Sequence, residues 1–160
     1  MSEYEKHKHQ CSFAMDNIGF QNDGTEIDSD FLSEVERILV NDDLKTLIRI
    51  LENKNMNTLT RCLLKAADIG TVRSVSLIID QLKVTNKDVD LTCITGKGGN
   101  TVLHVAAESK SENATQIIEL LFAKDLRLLE KENDYRRTPL HSAAYGQIII
   151  VLKLCNYNVE

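Results

Sequence analysis

The chain has 160 residues, 42% of them apolar and 27% charged, the balance of an ordinary soluble globular protein with enough chain for a core. No apolar run approaches the roughly 18 residues that a membrane-crossing helix needs, and the polar start Met1-Ser2-Glu3-Tyr4-Glu5-Lys6-His7 does not read as a secretory signal; a location in the cytoplasm, or in the nucleus, is therefore expected. The whole formal charge of −5 sits in residues 1–30, where seven acids face Lys6 and Lys8, while the remainder balances 17 acids against 17 bases, so the basic stripe that direct nucleic-acid binding calls for is missing.

Residues 1–28 lack sustained periodicity and are rich in Asp, Asn, Gln, Ser and Gly, which predicts an acidic, mostly disordered head. Such a head suits a partner with a basic region, or is simply solvated. Asp28-Ser29-Asp30 offers a run of helix N-caps. Phe31, Leu32, Val35, Ile38 and Leu39 follow at helical spacing; Asn41-Asp42-Asp43 reads as a turn, and Leu44, Leu47, Ile48 and Leu51 mark a second helix. Two short amphipathic helices cannot bury both faces alone, so a neighbouring pair is expected. It is read from Arg61, through Cys62-Leu63-Leu64-Lys65-Ala66-Ala67-Asp68-Ile69-Gly70, with a second helix carrying Val72, Val75, Leu77, Ile78 and Ile79. A third pair joins the helix after Thr101 to one with Ile117, Ile118, Leu120 and Leu121. A fourth joins the helix after Thr138 to Ile148 through Leu154.

The strongest pattern is a seven-residue string written twice. Thr101-Val102-Leu103-His104-Val105-Ala106-Ala107 and Thr138-Pro139-Leu140-His141-Ser142-Ala143-Ala144 both read T-x-L-H-x-A-A, 37 residues apart. The Ala66-Ala67 segment is a degenerate copy 40 residues earlier. Each position has a structural use. Thr138 can cap a helix and Pro139 suits its first turn. Leu103 and Leu140 belong in the core, and the alanines allow close helix approach. His104 and His141 are expected to hydrogen-bond between adjacent turns. Arg136 stands where the third unit has Gly99, and a left-handed backbone there would cost about 1–2 kcal/mol. The last helix is nearly all apolar, and repeat stacks normally end in a polar cap. Self-association through this uncapped end is one expectation; a buried last helix is the other.

Chemistry is not indicated. Gly96-Lys97-Gly98-Gly99-Asn100-Thr101 lacks the G-x-x-x-x-G-K-[ST] order of a phosphate loop. His7-x-His9-x-Cys11 falls short of the four ligands of structural zinc. Both body histidines are absorbed by the repeats, so no catalytic constellation remains. No catalytic residue, metal or cofactor is expected. The four widely spaced cysteines, Cys11, Cys62, Cys93 and Cys155, read as free thiols, with Cys62 in a helix. Asp28-Ser29-Asp30-Phe31-Leu32-Ser33 resembles a phosphodegron whose central Gly is Asp30, and the same residues read as a helix start.

A period of 20–50 residues built on T-P-L-H-x-A resembles the ankyrin-repeat family. The resemblance implies an all-α ankyrin-repeat solenoid of about four helix-turn-helix repeats with short hairpin loops. Its domains would be a head at 1–28 and a repeat body at 29–160, with repeats near 29–56, 57–92, 93–132 and 133–160. Over residues 98–150, the string from Gly99 to Ala107, the lengthening from Ser109 to Thr115 and the link from Asp125-Leu126-Arg127-Leu128-Leu129 to Thr138 are similar to inhibitor-of-NF-κB proteins. The small repeat number resembles the viral inhibitor-like ankyrin proteins ("vankyrins") of insect polydnaviruses. That resemblance implies binding of a Rel-type transcription factor, which is kept off DNA, with suppression of host immune signalling. The alternative is a general ankyrin adaptor with an unrelated protein partner. Hairpin tips and the open face of each first helix would supply the protein contacts: Lys65, Asp68 and Ile69; Lys97, Asn100, Val105, Glu108 and Ser109; Asp134, Tyr135, Arg137, Ser142 and Tyr145. Tyr135, Tyr145 and Arg137 are the expected hot spots, because interface energy concentrates in Tyr, Trp and Arg.

Overall fold

Apolar residues at helical spacing form helices along this chain wherever a polar cap opens them. The structure, a computed structural model, describes residues 29–144 and Val151. Helix α1 (Ser29–Val40) buries Val35, Ile38 and Leu39. Ser29 is its first helical residue, and the Ser33 hydroxyl donates back to the Ser29 carbonyl at 2.9 Å; the capping position lies before the described residues. Asp43 opens α2 (Leu44–Leu51), accepting from the Thr46 N–H at 3.1 Å.

Helix α3 (Met56–Ile69) starts earlier than the Arg61 expected from its alanines. Asn55 supplies the cap, accepting from the Thr58 N–H at 2.8 Å. Leu59 then extends the buried row of Cys62, Leu63, Ala66 and Ala67 by one turn. Gly70, with φ +91°, ends α3 in the left-handed conformation that favours glycine. Helix α4 (Val72–Thr85) buries Val75, Ile78, Ile79 and Leu82. The later elements are α5 (Val102–Glu108), α6 (Ala114–Lys124) and α7 (Pro139–Ala144). Of the expected last helix, Val151 is described, and it is helical.

The helices stack in two layers. In one, α1 packs on α3, α3 on α5 and α5 on α7; in the other, α2 packs on α4 and α4 on α6. Within each pair α1 touches α2, α3 touches α4 and α5 touches α6. This is the all-α solenoid of helix-turn-helix units that the spacing predicts, and one apolar core runs through it from Val35 to Ala143. The two core leucines are not equivalent. Leu103 is fully buried, whereas Leu140 is only partly buried against the core. Among the described helices α5 lies between α3 and α7, while α7 has α5 on one side.

Two of the 3-10 turns that connect repeats open with an aspartate. Asp90 accepts from the Thr92 N–H at 2.9 Å and opens Leu91–Cys93; Asp125 accepts from the Arg127 N–H at 3.0 Å and opens Leu126–Leu129. The Arg127 guanidinium joins the two, at 2.7 Å from Asp125 and 3.2 Å from Asp90. Asp90-Leu91-Thr92-Cys93-Ile94 is therefore an earlier copy of the Asp-Leu-x-x-Leu connector.

The cysteines divide. Cys62 is a free thiol, and burial pushes it up to about 11, so it stays protonated and inert. Cys93 departs from the free-thiol expectation: it is disulfide-bonded. It closes a 3-10 turn and is only half-buried.

Candidate functional site: the stacked hairpin tips

The T-x-L-H strings build the joints between repeats. At α5 the Thr101 N–H and hydroxyl both reach His104 Nδ1, at 3.2 and 2.9 Å. That leaves Nε2 to carry the ring proton and donate to the Arg137 carbonyl of the next hairpin, at 2.8 Å. His141 repeats the first half of this arrangement, with Thr138 N and Oγ1 at 3.2 and 2.9 Å from its Nδ1. Thr101 and His104 form a capping box, the Thr101 side chain also accepting from the His104 N–H, while the Thr138 hydroxyl, expected to cap its helix, pairs with the His141 ring. In α3, Leu64 occupies the histidine position and packs beside Gly96, where an added Cβ would lie 2.8 Å from the Leu64 side chain.

His104 is fully buried. Burial holds it below its usual range, against the Arg137 carbonyl and the Glu108 carboxylate, which pull it up. Its unfolded value is near 6.5, so as pH falls the unfolded chain takes up this proton first. The joint should be at full strength above about pH 6.5 and weaken as pH falls toward the lower folded value. Urea midpoints at pH 7.5 and 5.5 should drop more for the natural chain than for His104→Gln; equal drops would contradict this.

Two hairpin tips lie one on the other. In the first, the Gly96 N–H donates to the Asn100 carbonyl at 2.8 Å, with Gly98 and Gly99 both at φ +70°. In the second, the Asn133 N–H donates to the Arg137 carbonyl at 3.0 Å, and Arg136 adopts φ +56° at the place of Gly99. Arg136 thus has the left-handed backbone that is costly for any residue but glycine. Asn133 holds the second tip. It is buried, and its Oδ1 accepts from the Tyr135 and Arg137 N–H groups, both at 3.0 Å. Its Nδ2 donates across the joint to Asn100 Oδ1 at 2.7 Å. The Asp134 N–H adds a bond to the Gly98 carbonyl at 3.0 Å. The Tyr135 ring lies against Gly98, where an added Cβ would sit 3.0 Å from Cε2, yet Tyr135 is 70% exposed.

The structure sorts the expected contact residues. Asp68, Lys97, Glu108, Asp134, Tyr135 and Arg137 are exposed. Lys65, Ile69, Asn100 and Val105 are half-buried, Lys65 pairing with Glu36 at 3.2 Å and Asn100 accepting from Asn133. Ser109 and Ser142 are buried and cannot offer a side chain to a partner. Ser109 belongs to a structural latch. Its hydroxyl donates to the Asp68 carbonyl at 2.8 Å, Asn113 Nδ2 donates to the Gly70 carbonyl at 3.1 Å, and Ser111 lies directly over Gly70. The lengthened link after α5 therefore covers carbonyls at the end of α3. Ser142 sits at 2% exposure on the face of α7 turned into the packing. Tyr145 lies outside the described residues.

Sequence reasoning missed Asn133 and Asp90. The signal for Asp90 was the second Asp-Leu-x-x-Leu/Ile string; Asn133 acts across the joint, and spacing alone does not reveal that. Among the described residues, no group of three or more His, Cys, Asp or Glu side chains is placed to hold a metal, and no helix is long and apolar enough to cross a membrane.

Paired helices in two layers, joined by hydrogen-bonded hairpin tips, form a repeat-type stack. Residues 35–160 match the family model for ankyrin repeats (3 copies), and the chain belongs to the ankyrin-repeat family. A search of curated proteins and a search of solved structures gave no match. Ankyrin repeats mediate binding to protein partners and are typically non-catalytic, so the family implies a protein-binding role.

Proposed function

We propose that this chain is a non-catalytic inhibitor that binds a Rel-type transcription factor dimer and keeps it off DNA, suppressing immune transcription in a host cell as the viral inhibitor-like ankyrin proteins do. The observation that carries the reading is the third repeat, with its Gly99-to-Ala107 string, lengthened link and Asp125 connector into Thr138-Pro139-Leu140-His141. The rigid tips and the exposed Asp68 and Glu108 of α3 and α5 supply a surface of the right kind. The acidic head would meet a basic region of such a partner.

One observation favours the second reading, an adaptor with an unrelated partner. The lengthened link already has a use within the fold, because Ser109 and Asn113 satisfy the Asp68 and Gly70 carbonyls. The readings part in a mobility-shift experiment with a purified Rel dimer on a labelled duplex. The inhibitor should release the duplex at micromolar concentration or below, near the affinity of many specific protein complexes, roughly −8 kcal/mol or better. Ala at Tyr135, Tyr145 and Arg137 together should abolish release while the circular dichroism stays helical. An unchanged shift, with other proteins recovered from immune-challenged insect cells, would favour the adaptor.

A further inference from the structure

The stacked tips have a charge that the chain as a whole lacks. Lys97 is exposed on the first tip, and Arg136 and Arg137 are exposed on the second, directly after Tyr135; Asp134 is the acid within the tips, and Glu132 is exposed just before the second. Asp134 is turned toward the glycines. An added Cβ on Gly99 would sit 2.8 Å from the Asp134 Cγ and against its Oδ1. The tips thus carry the exposed cations Lys97, Arg136 and Arg137 beside an aromatic ring, on a body whose residues beyond 30 are neutral overall. The backbone is held by Asn133, by the Asp134 N–H to Gly98 and by His104 to the Arg137 carbonyl. Little ordering cost therefore remains for the tip when a partner binds.

We propose that the Tyr135 tip is a docking site for an acidic protein segment. The Tyr135 ring would take an apolar or aromatic residue of that segment, and Lys97, Arg136 and Arg137 would pair with its carboxylates. Arginine at two of the three positions suits planar carboxylates, which it can bind in fork geometry. A duplex is the lesser fit, since three cations on two hairpins do not make the extended stripe that phosphate tracking needs. The inference rests on the protein-binding role and does not depend on the partner being of Rel type.

The test uses the full chain and a labelled peptide of alternating Glu and Asp with one central Phe, followed by fluorescence anisotropy at low and physiological salt. Its Gln/Asn counterpart is the neutral control. The acidic peptide should bind and the neutral one should not. Lys97→Ala with Arg136→Gly and Arg137→Gln should weaken binding by about tenfold or more, as loss of a charged cluster predicts. Tyr135→Ala alone should weaken it by several-fold, and Lys83→Ala with Lys87→Ala, exposed residues at and beyond the end of α4, should leave it unchanged. Circular dichroism shows that each variant is folded. Equal binding by the triple variant, equal loss in the Lys83/Lys87 variant, or competition by a duplex DNA at the same concentration as the peptide would each overturn the assignment. The two readings are measured separately: failure of the acidic peptide to bind a chain that still releases the duplex from a Rel dimer overturns this docking site alone, and peptide binding without release overturns the Rel reading alone.

Discussion

Replacing Leu103 with Ala should destabilise the chain by about 2–5 kcal/mol, the range for emptying a fully buried leucine site. Domains of this size hold only about 5–15 kcal/mol in total, so the loss is a large fraction of what keeps the stack folded. Leu103 has no exposed surface, and its helix α5 lies between α3 and α7. Truncation there leaves a cavity that neither neighbour can close without moving the other. Leu140 holds the same place in its own T-x-L-H string but is only partly buried. Leu140→Ala should cost clearly less, because water reaches part of the vacated space. Urea unfolding of the two variants, followed at 222 nm, gives the comparison. Equal losses would mean that burial at α7 is as complete as at α5, and a negligible loss at Leu103 would contradict the stacked-repeat architecture itself.

The contrast between those leucines shows what could be read from the residues alone. T-x-L-H-x-A-A located α5 and α7 and named their inward positions, because helical spacing decides which side chains share a face. It could not grade the two copies, since burial depends on what lies on either side of a repeat. The histidines show the same division. That His104 hydrogen-bonds between adjacent turns was expected; that its acceptor is the Arg137 carbonyl of the next hairpin, 33 residues away, required the fold. Ser109 was expected to face a partner because it follows the open side of α5, and it turned inward because the end of α3 offers carbonyls in need of donors. The helix start at Met56 was misjudged by following the alanines and passing over Asn55, whose cap lies one turn beyond the apolar row. The helix pairing that brings the hairpins together was legible. The locking of the second tip by Asn133 was not, because its partners lie on both hairpins and only their stacking brings them together.

That stacking makes one repeat position respond in opposite ways in neighbouring units. Gly99 and Arg136 both have a left-handed backbone, at φ +70° and +56°. Glycine adopts it freely, while any other residue loses about 1–2 kcal/mol there. Gly99→Ala should incur that cost and a further one. The new Cβ would lie 2.8 Å from the Asp134 backbone nitrogen, and backbone cannot rotate aside as a side chain can. The second tip must shift, which severs the Asp134 N–H bond to the Gly98 carbonyl, worth about 0.5–1.5 kcal/mol. A loss of about 2–4 kcal/mol is expected. Arg136→Gly runs the other way. It removes the strain and keeps the Arg136 N–H bond to the Asn133 carbonyl, against an entropic cost of about 0.5–1 kcal/mol for a new glycine in the unfolded chain. The net should be a gain of up to about 1 kcal/mol. Binding separates the two effects further. Gly99→Ala should displace the Tyr135 ring and weaken peptide capture along with stability, whereas Arg136→Gly should raise the urea midpoint while removing one cation from the tip. If both substitutions move stability in the same direction, the two tips do not share the conformation that their stacking requires.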